Sequence, residues 1–114
     1  MTAECRQSGG TIFVLGNGGS MATASHFVCD IGKEGASYGR ERRFEILCRL
    51  DNSPTLTAYA NNAGYEVALV EQLKNFAAPN NVVIAISSSG RSPNVVKALD
   101  WSKRSGCRII SMTG

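Results

Sequence analysis

The sequence predicts an α/β domain built on a doubly wound parallel sheet. Short apolar runs alternate along the chain with segments of helical periodicity, which is the pattern of strands connected by helices. The clearest run, residues 82–86, is apolar throughout, as is typical of a parallel strand with both faces covered. Such alternation implies right-handed crossovers between parallel strands.

The first strand and the first helix are joined by a glycine-rich turn. Residues 11–15 form a short apolar run that predicts a buried strand. A turn over residues 16–20 follows, and residues 21–31 then repeat apolar side chains at helical spacing. Residues 1–10 lack any such pattern, so we expect a loose lead-in there and a core domain over residues 11–114.

A loop, a strand and a short helix are expected next. Residues 32–43, rich in glycine and charge, predict a long surface loop, and residues 44–50 predict the second strand. Ser53 is a natural N-cap and Pro54 suits the first helical position, so we expect a short helix to about residue 59.

The second half of the chain predicts two longer helices that flank the clearest strand. Residues 61–64 are expected to end the short helix, and residues 65–76 form the next one. Its buried side is predicted to carry Val67, Leu69, Val70 and Leu73. A turn over residues 78–81 leads into the strand at 82–86.

The last helix and strand have equally clear signals. Ser92 and Pro93 predict the start of a helix that ends near Ser105, before Gly106. Its buried side chains are expected to be Val95, Val96, Leu99 and Trp101. Residues 107–112 predict a fourth strand, whose apolar edge would be exposed.

Composition excludes several classes of function. The chain has 114 residues, enough for one domain, and no apolar run long enough to span a membrane. A net charge of +3, spread along the chain, does not indicate a nucleic-acid partner. The four cysteines form no CxxC pair, which argues against a zinc ribbon or a thioredoxin-type site. Residues 1–10 are mostly polar and contain no secretory signal, and we expect a cytoplasmic protein with reduced thiols.

Two polar loops follow predicted strands and are candidates for binding phosphate. The turn over residues 16–20 brings glycines and a helix N-terminus together, which favours an anion. The second loop, residues 87–92, has the sequence SSSGRS and offers four hydroxyl groups beside another helix start. Since both loops leave the carboxyl ends of parallel strands, they lie on one edge of the sheet. An ordinary serine-rich turn with one N-cap is the alternative, and the absence of GxxxxGK[ST] argues against a P-loop NTPase.

These loops also resemble a known family. GNGGS at residues 16–20, LTAYANNAGYE at 56–66 and SSSGRSPN at 87–94 look like the SIS (sugar isomerase) domain, with its flavodoxin-like strand order. Within it the chain is most similar to phosphoheptose isomerases, which interconvert sedoheptulose 7-phosphate and a heptose 7-phosphate. The resemblance implies that the sugar phosphate is bound by Asn17, Gly18, Gly19, Ser20, Asn61 and Asn62, with Ser87, Ser88, Ser89 and Ser92 on its phosphate group.

The resemblance also implies a zinc site on the first helix. In the family a histidine and a glutamate four residues later bind zinc, and the glutamate serves in proton transfer; here the matching residues are His26 and Asp30. Helical spacing by itself places these two side chains on one face, with Cys29 beside them. From the residues alone, such a pair can share a zinc ion, shuttle a proton, or form only a hydrogen-bonded surface pair.

The chain departs from the family pattern at three points. Asp30 is one methylene shorter than glutamate, and Asn62 stands where the family usually has an aspartate, although an amide cannot act as a base. Family members also begin with a helical segment used in tetramer assembly. They continue with a strand and a helix that carries a glutamine and a second histidine, whereas His26 is the only histidine here. We therefore expect a sequence truncated at both ends, either a fragment or an obligate oligomer.

Three hypotheses of function follow. The first is a cytoplasmic phosphoheptose isomerase that works as a homo-oligomer, a dimer or tetramer, with zinc, and of which this chain is at least the substrate-binding core. The second is a non-catalytic module of the same fold that senses a sugar phosphate or binds a protein partner, as some relatives do in regulating replication initiation. The third, a dinucleotide-binding domain, is weaker because GNGGS lacks the third glycine of GxGxxG.

Overall fold

A computed structural model of the protein describes residues 10–37, 45–48 and 51–113. The predicted lead-in, apart from residue 10, lies outside these ranges, as do part of the predicted loop before the second strand and both ends of that strand. Within the described ranges, no helix is long and apolar enough to cross a membrane.

Four parallel strands form one sheet, as the alternating pattern predicts. They are β1 (Thr11–Gly16), β2 (Glu45–Leu47), β3 (Val82–Ser87) and β4 (Arg108–Thr113). The order across the sheet is β2-β1-β3-β4, and every neighbouring pair is parallel. β2 is added on one side of β1, whereas β3 and then β4 are added on the other side. The point where the strand order reverses therefore lies between β1 and β3.

Helices cover both faces of this sheet. They are α1 (Gly19–Ser37), α2 (Ser53–Ala63), α3 (Tyr65–Phe76) and α4 (Pro93–Arg104). The α1 face buries Ile12, Val14 and Ile84 with Ala24, and the opposite face buries a second group of apolar side chains from α3 and α4. Two apolar layers on the same strands explain why residues 82–86 of β3 are all apolar.

Helix α1 is longer than the sequence predicts. The expected loop from residue 32 is wrong as far as Ser37, because the helix continues through Gly32. Gly35 also lies inside the helix, and each such glycine costs only about 1 kcal/mol relative to alanine. The side chain of Ile31 packs against the core on this face, which helps to offset that cost.

Helix α2 begins and ends differently from the prediction. Its N-cap is Asn52, whose side chain accepts a hydrogen bond from the Thr55 N–H at 3.0 Å, and not Ser53. The helix continues through Ala63 to the C-cap Gly64, where the prediction ended it near residue 59. Its last turn therefore includes the two asparagines expected to break it.

The predictions for α3 and α4 are confirmed with few changes. Helix α3 has the predicted bounds, and Leu69, Val70 and Leu73 are buried. In α4 the side chain of Val95 is buried, whereas Val96 is 48% exposed, contrary to the prediction. The side chains of Cys48 and Cys107 are buried, and that of Cys29 is exposed.

Candidate functional site

The carboxyl ends of β1 and β3 are level with each other, so the two polar loops start side by side. In the register of this pair, Gly16 is opposite Ile86, the residue before the end of β3. Adjacent strands lie about 4.8 Å apart. The expectation that both loops share one edge of the sheet is confirmed, and they meet at the point where the strand order reverses.

The turn after β1 depends on glycine at its first position. A Cβ atom on Gly16 would lie 2.8 Å from the Ile86 carbonyl oxygen and 2.8 Å from the carbonyl carbon of Ser20. The next glycine, Gly18, has a φ of 52°, which side chains rarely allow. The Ser20 N–H donates to the Asn17 carbonyl at 2.8 Å, and α1 begins directly at Gly19.

The serine loop holds its hydroxyl oxygens through backbone donors. Ser87 Oγ accepts from the Gly90 N–H and Ser89 Oγ from the Arg91 N–H, both at 3.1 Å. Ser89 Oγ and Ser92 Oγ are 3.4 Å apart, so one of these hydroxyls can donate to the other. Because Ser87 Oγ and Ser89 Oγ accept from the backbone, the Ser87 hydroxyl hydrogen and at least one hydroxyl hydrogen of the Ser89–Ser92 pair remain available to an anion.

Helix α4 starts immediately after this loop. Ser92 is its N-cap residue and Pro93 its first residue, as predicted, but among the described residues no side chain caps the helix. The first N–H groups of a helix and its dipole favour a negative charge. The hydroxyl groups of the serine loop and the backbone N–H groups beside them are therefore donors of the kind that bind a phosphate group.

Asn17 connects the glycine turn to α4 by a reciprocal pair of amide hydrogen bonds. Asn17 Nδ2 donates to Asn94 Oδ1 at 2.9 Å, and Asn94 Nδ2 donates to Asn17 Oδ1 at 2.6 Å. The Tyr65 hydroxyl donates to the same Asn17 Oδ1 at 2.9 Å. Asn94 and Tyr65 were not among the predicted site residues, although both lie in the segments that carry the family resemblance. Their position in those segments is the one sequence feature that could have indicated a role in the site.

Asn61 and Asn62 lie in the last turn of α2, with exposed side chains. Tyr65, at the start of the next helix, donates a hydrogen bond from its hydroxyl group to Asn17. The last turn of α2 is therefore only a few residues along the chain from a side chain that contacts the glycine turn. Among the described residues, however, no hydrogen bond joins either asparagine to the two loops. Their predicted role in substrate binding stays a prediction.

His26 and Asp30 lie together on the outer face of α1. His26 Nε2 is 3.6 Å from Asp30 Oδ1, and the two side chains are 75% and 64% exposed. They line a shallow cavity of about 410 Å³ with Ala22, Thr23 and Phe27. Since α1 begins at Gly19 and rises about 1.5 Å per residue, His26 is about 10 Å along the axis from the glycine turn.

This pair fits part of a zinc site. Ligands at about 2.1 Å in a tetrahedral site lie about 3.4 Å apart, close to the separation of the two donor atoms here. No group of three or more candidate metal ligands occurs among the described residues, and Cys29 does not complete one. A zinc ion held by His26 and Asp30 would therefore need further ligands from outside the part of the chain described.

Two buried cysteines have shifted pKa values. Burial, followed by the nearby Asp51 carboxylate, raises the pKa of the Cys48 thiol to about 11. Burial also raises the pKa of Cys107. Both thiols are therefore protonated at neutral pH and are poor candidates for a nucleophile.

The sequence profile of the SIS domain family matches residues 1–114. The chain is 41% identical to a probable phosphoheptose isomerase of Thermoplasma volcanium, over 94% of this chain and 54% of that protein. It is 38% identical to the phosphoheptose isomerase of Citrifermentans bemidjiense, over 100% of this chain and 58% of that protein. The chain thus spans little more than half the length of the curated relatives it matches.

Solved structures agree with this similarity. The phosphoheptose isomerase of Neisseria gonorrhoeae superimposes with a TM-score of 0.83 at 28% identity, over 96% of this chain and 55% of that one. A phosphoheptose isomerase of Francisella tularensis gives a TM-score of 0.89 at 23% identity, over 99% and 58%, and supports the fold alone. The similarities favour the isomerase hypothesis over the regulatory module. The chain belongs to the SIS domain family and is homologous to the phosphoheptose isomerases.

Proposed function

We propose that this chain is the sugar-phosphate-binding core of a phosphoheptose isomerase, which interconverts sedoheptulose 7-phosphate and an aldose phosphate through an enediol. The observation that carries the proposal is the convergence of the glycine turn and the serine loop, which the Asn17–Asn94 amide pair joins. Relatives named as phosphoheptose isomerases supply the choice of sugar phosphate.

The serine loop would bind the phosphate group. Ser87, Ser88, Ser89 and Ser92 provide hydroxyl donors, and the start of α4 provides backbone N–H groups. This arrangement binds a dianion without a Walker lysine. Arg91, in the same loop, is exposed and adds a positive charge close to the hydroxyl groups.

Asp30 would transfer the proton that the isomerisation moves. Its carboxylate takes a proton from C1 of the ketose and returns one to C2, while the hydroxyl proton passes from the oxygen on C1 to that on C2. His26 and Asp30 would also hold zinc, together with ligands outside the described residues, and bound zinc polarises a carbonyl oxygen. The exposed position of both side chains leaves them accessible to a substrate or to a second chain.

Deuterium exchange tests the isomerase proposal. The purified protein is incubated with sedoheptulose 7-phosphate in D₂O, with and without zinc, and the sugar is observed by NMR. An enediol must exchange a carbon-bound proton with solvent, so we expect deuterium in the sugar even where net conversion is slow. Asp30→Asn removes the base and should abolish exchange, whereas Asp30→Glu keeps a carboxylate and should retain it.

The outcomes separate the two hypotheses. Exchange that persists in Asp30→Asn contradicts the role of this carboxylate. Perturbed phosphate resonances without any exchange indicate either the binding module of the same fold or a substrate-binding core that needs the rest of the active site for catalysis. A folded protein that neither binds nor exchanges the sugar phosphate contradicts the proposal as a whole.

We also propose that the protein is a cytoplasmic homo-oligomer, either a dimer or a tetramer. Apolar side chains are exposed on β4 and α4: Met112 of the strand is 44% exposed and Val96 of the helix is 48% exposed. A groove of about 560 Å³ runs between α4 and this strand. Sedimentation equilibrium should give a mass of two or four chains. A single-chain mass at every concentration would contradict this proposal.

A further inference from the structure

The side-chain amide of Asn17 has three of its four hydrogen-bonding positions occupied by protein. Its oxygen accepts from Asn94 Nδ2 and from the Tyr65 hydroxyl, and its nitrogen donates to Asn94 Oδ1. An amide offers two acceptor positions and two N–H donors. Among the described residues, the second N–H of Asn17 has no partner, and it is the one position left for a ligand.

The partners that hold Asn17 come from two separate helices. Tyr65 is the first residue of α3, and Asn94 is the second residue of α4, so the turn after β1 is tied to both. The side chain of Asn94 is only 2% exposed, which prevents it from leaving the pair for solvent. Two acceptor bonds on one oxygen fix both the plane and the direction of the Asn17 amide.

We infer that Asn94 and Tyr65 are positioning residues, which orient Asn17 so that its free N–H donates to an oxygen of the sugar part of the bound sugar phosphate. This inference rests on the proposed function, in which the serine loop binds the phosphate. Asn17 follows β1, one strand away from that loop, and adjacent strands are about 4.8 Å apart. A donor at that distance reaches the carbon chain of a ligand whose phosphate lies at the end of β3.

Tyr65→Phe tests the inference, because it removes one hydroxyl and leaves the ring. Affinities for sedoheptulose 7-phosphate and for inorganic phosphate are measured by calorimetry on the full chain. We expect the variant to bind the sugar phosphate roughly 3- to 10-fold more weakly, the range that loss of one hydrogen bond gives. Its affinity for inorganic phosphate should change less than about twofold, because Asn17 does not hold the phosphate group.

A matched control exists on the neighbouring helix. The Tyr59 hydroxyl of α2 accepts a hydrogen bond from Asn75 Nδ2 at 2.8 Å, so Tyr59→Phe also removes one tyrosine–asparagine hydrogen bond. Because neither partner belongs to the Asn17 network, this variant should bind both ligands as the unmodified protein does. An equal effect of the two variants would contradict the inference.

A double-mutant cycle separates positioning from general structural damage. If Tyr65 acts through Asn17, Tyr65→Phe should weaken sugar-phosphate binding less than about twofold when Asn17→Ala is already present.

Three results would overturn the inference. They are equal losses for both ligands in Tyr65→Phe, no loss for either, or a loss that persists in the Asn17→Ala background. If the unmodified protein binds inorganic phosphate but not sedoheptulose 7-phosphate, the proposed function fails and the inference fails with it. If it binds both and Tyr65→Phe has no effect, only the inference fails.

Discussion

At the scale of single residues, Asn17 and Gly16 determine how the site is built. The amide of Asn17 joins the glycine turn to α4, and Gly16 allows β1 to pass directly beside β3. We expect a side chain at Gly16, or the loss of the Asn17 amide, to change the separation of the two loops.

Gly16→Ala should destabilise the protein. The added Cβ would lie 2.8 Å from the Ile86 carbonyl oxygen, and both contacts within that distance are backbone atoms that cannot rotate away. We expect a loss of about 1–3 kcal/mol in the free energy of unfolding, measured by urea denaturation. Gly32→Ala is the control, because its Cβ meets nothing within 4 Å and alanine favours the helix. Equal losses in the two variants would contradict the close approach at Gly16.

Cys48 should make stability depend on pH in the alkaline range. Its pKa is raised from 9.0 to about 11 in the folded protein. As the pH rises, the thiol therefore loses its proton in the unfolded chain before it does so in the folded protein. Its contribution to the free energy of unfolding is complete below pH 9 and is lost between pH 9 and 11.

A comparison of unfolding free energies across this pH range isolates the effect. The fall in stability should be smaller in Cys48→Ala than in the unmodified protein. Parallel curves for the unmodified protein and Cys48→Ala would show that this thiol does not titrate differently on folding.

At the scale of elements, the sequence predicted strands and helices best where their signals are local. Ser92 and Pro93 mark the start of α4, and this prediction is confirmed. The start of α2 was misplaced by one residue because Asn52 and Ser53 are both good N-caps. Only the hydrogen bond from the Thr55 N–H distinguishes them.

Asn52→Ala should therefore destabilise the protein, and Ser53→Ala should not. Loss of the cap leaves the Thr55 N–H without its side-chain partner, and such losses typically cost about 1 kcal/mol. Ser53 is exposed and lies inside the helix, where alanine is favourable. Thermal or urea unfolding of both variants measures the difference, and the reverse order of stabilities would contradict the assigned cap.

At the scale of the whole molecule, the parallel topology explains why the site could be predicted in outline. Two polar loops that follow parallel strands necessarily share an edge of the sheet, so the order of strands and loops along the chain is enough to predict their convergence. The hydrogen bonds of Asn17 could not be predicted in the same way. Its partners Tyr65 and Asn94 are 48 and 77 positions away, and no local pattern indicates such contacts. The outer position of His26 and Asp30 agrees with the helical spacing, whereas their further ligands stay a prediction.

The most direct test of the central claim is a map of backbone NMR shifts on addition of sedoheptulose 7-phosphate. We expect the largest changes on two separate segments, residues 16–20 and 87–94, and we expect inorganic phosphate to reproduce the changes in the second segment. Changes confined to one loop, or centred on the groove between α4 and β4, would contradict the claim that the two loops form one sugar-phosphate site.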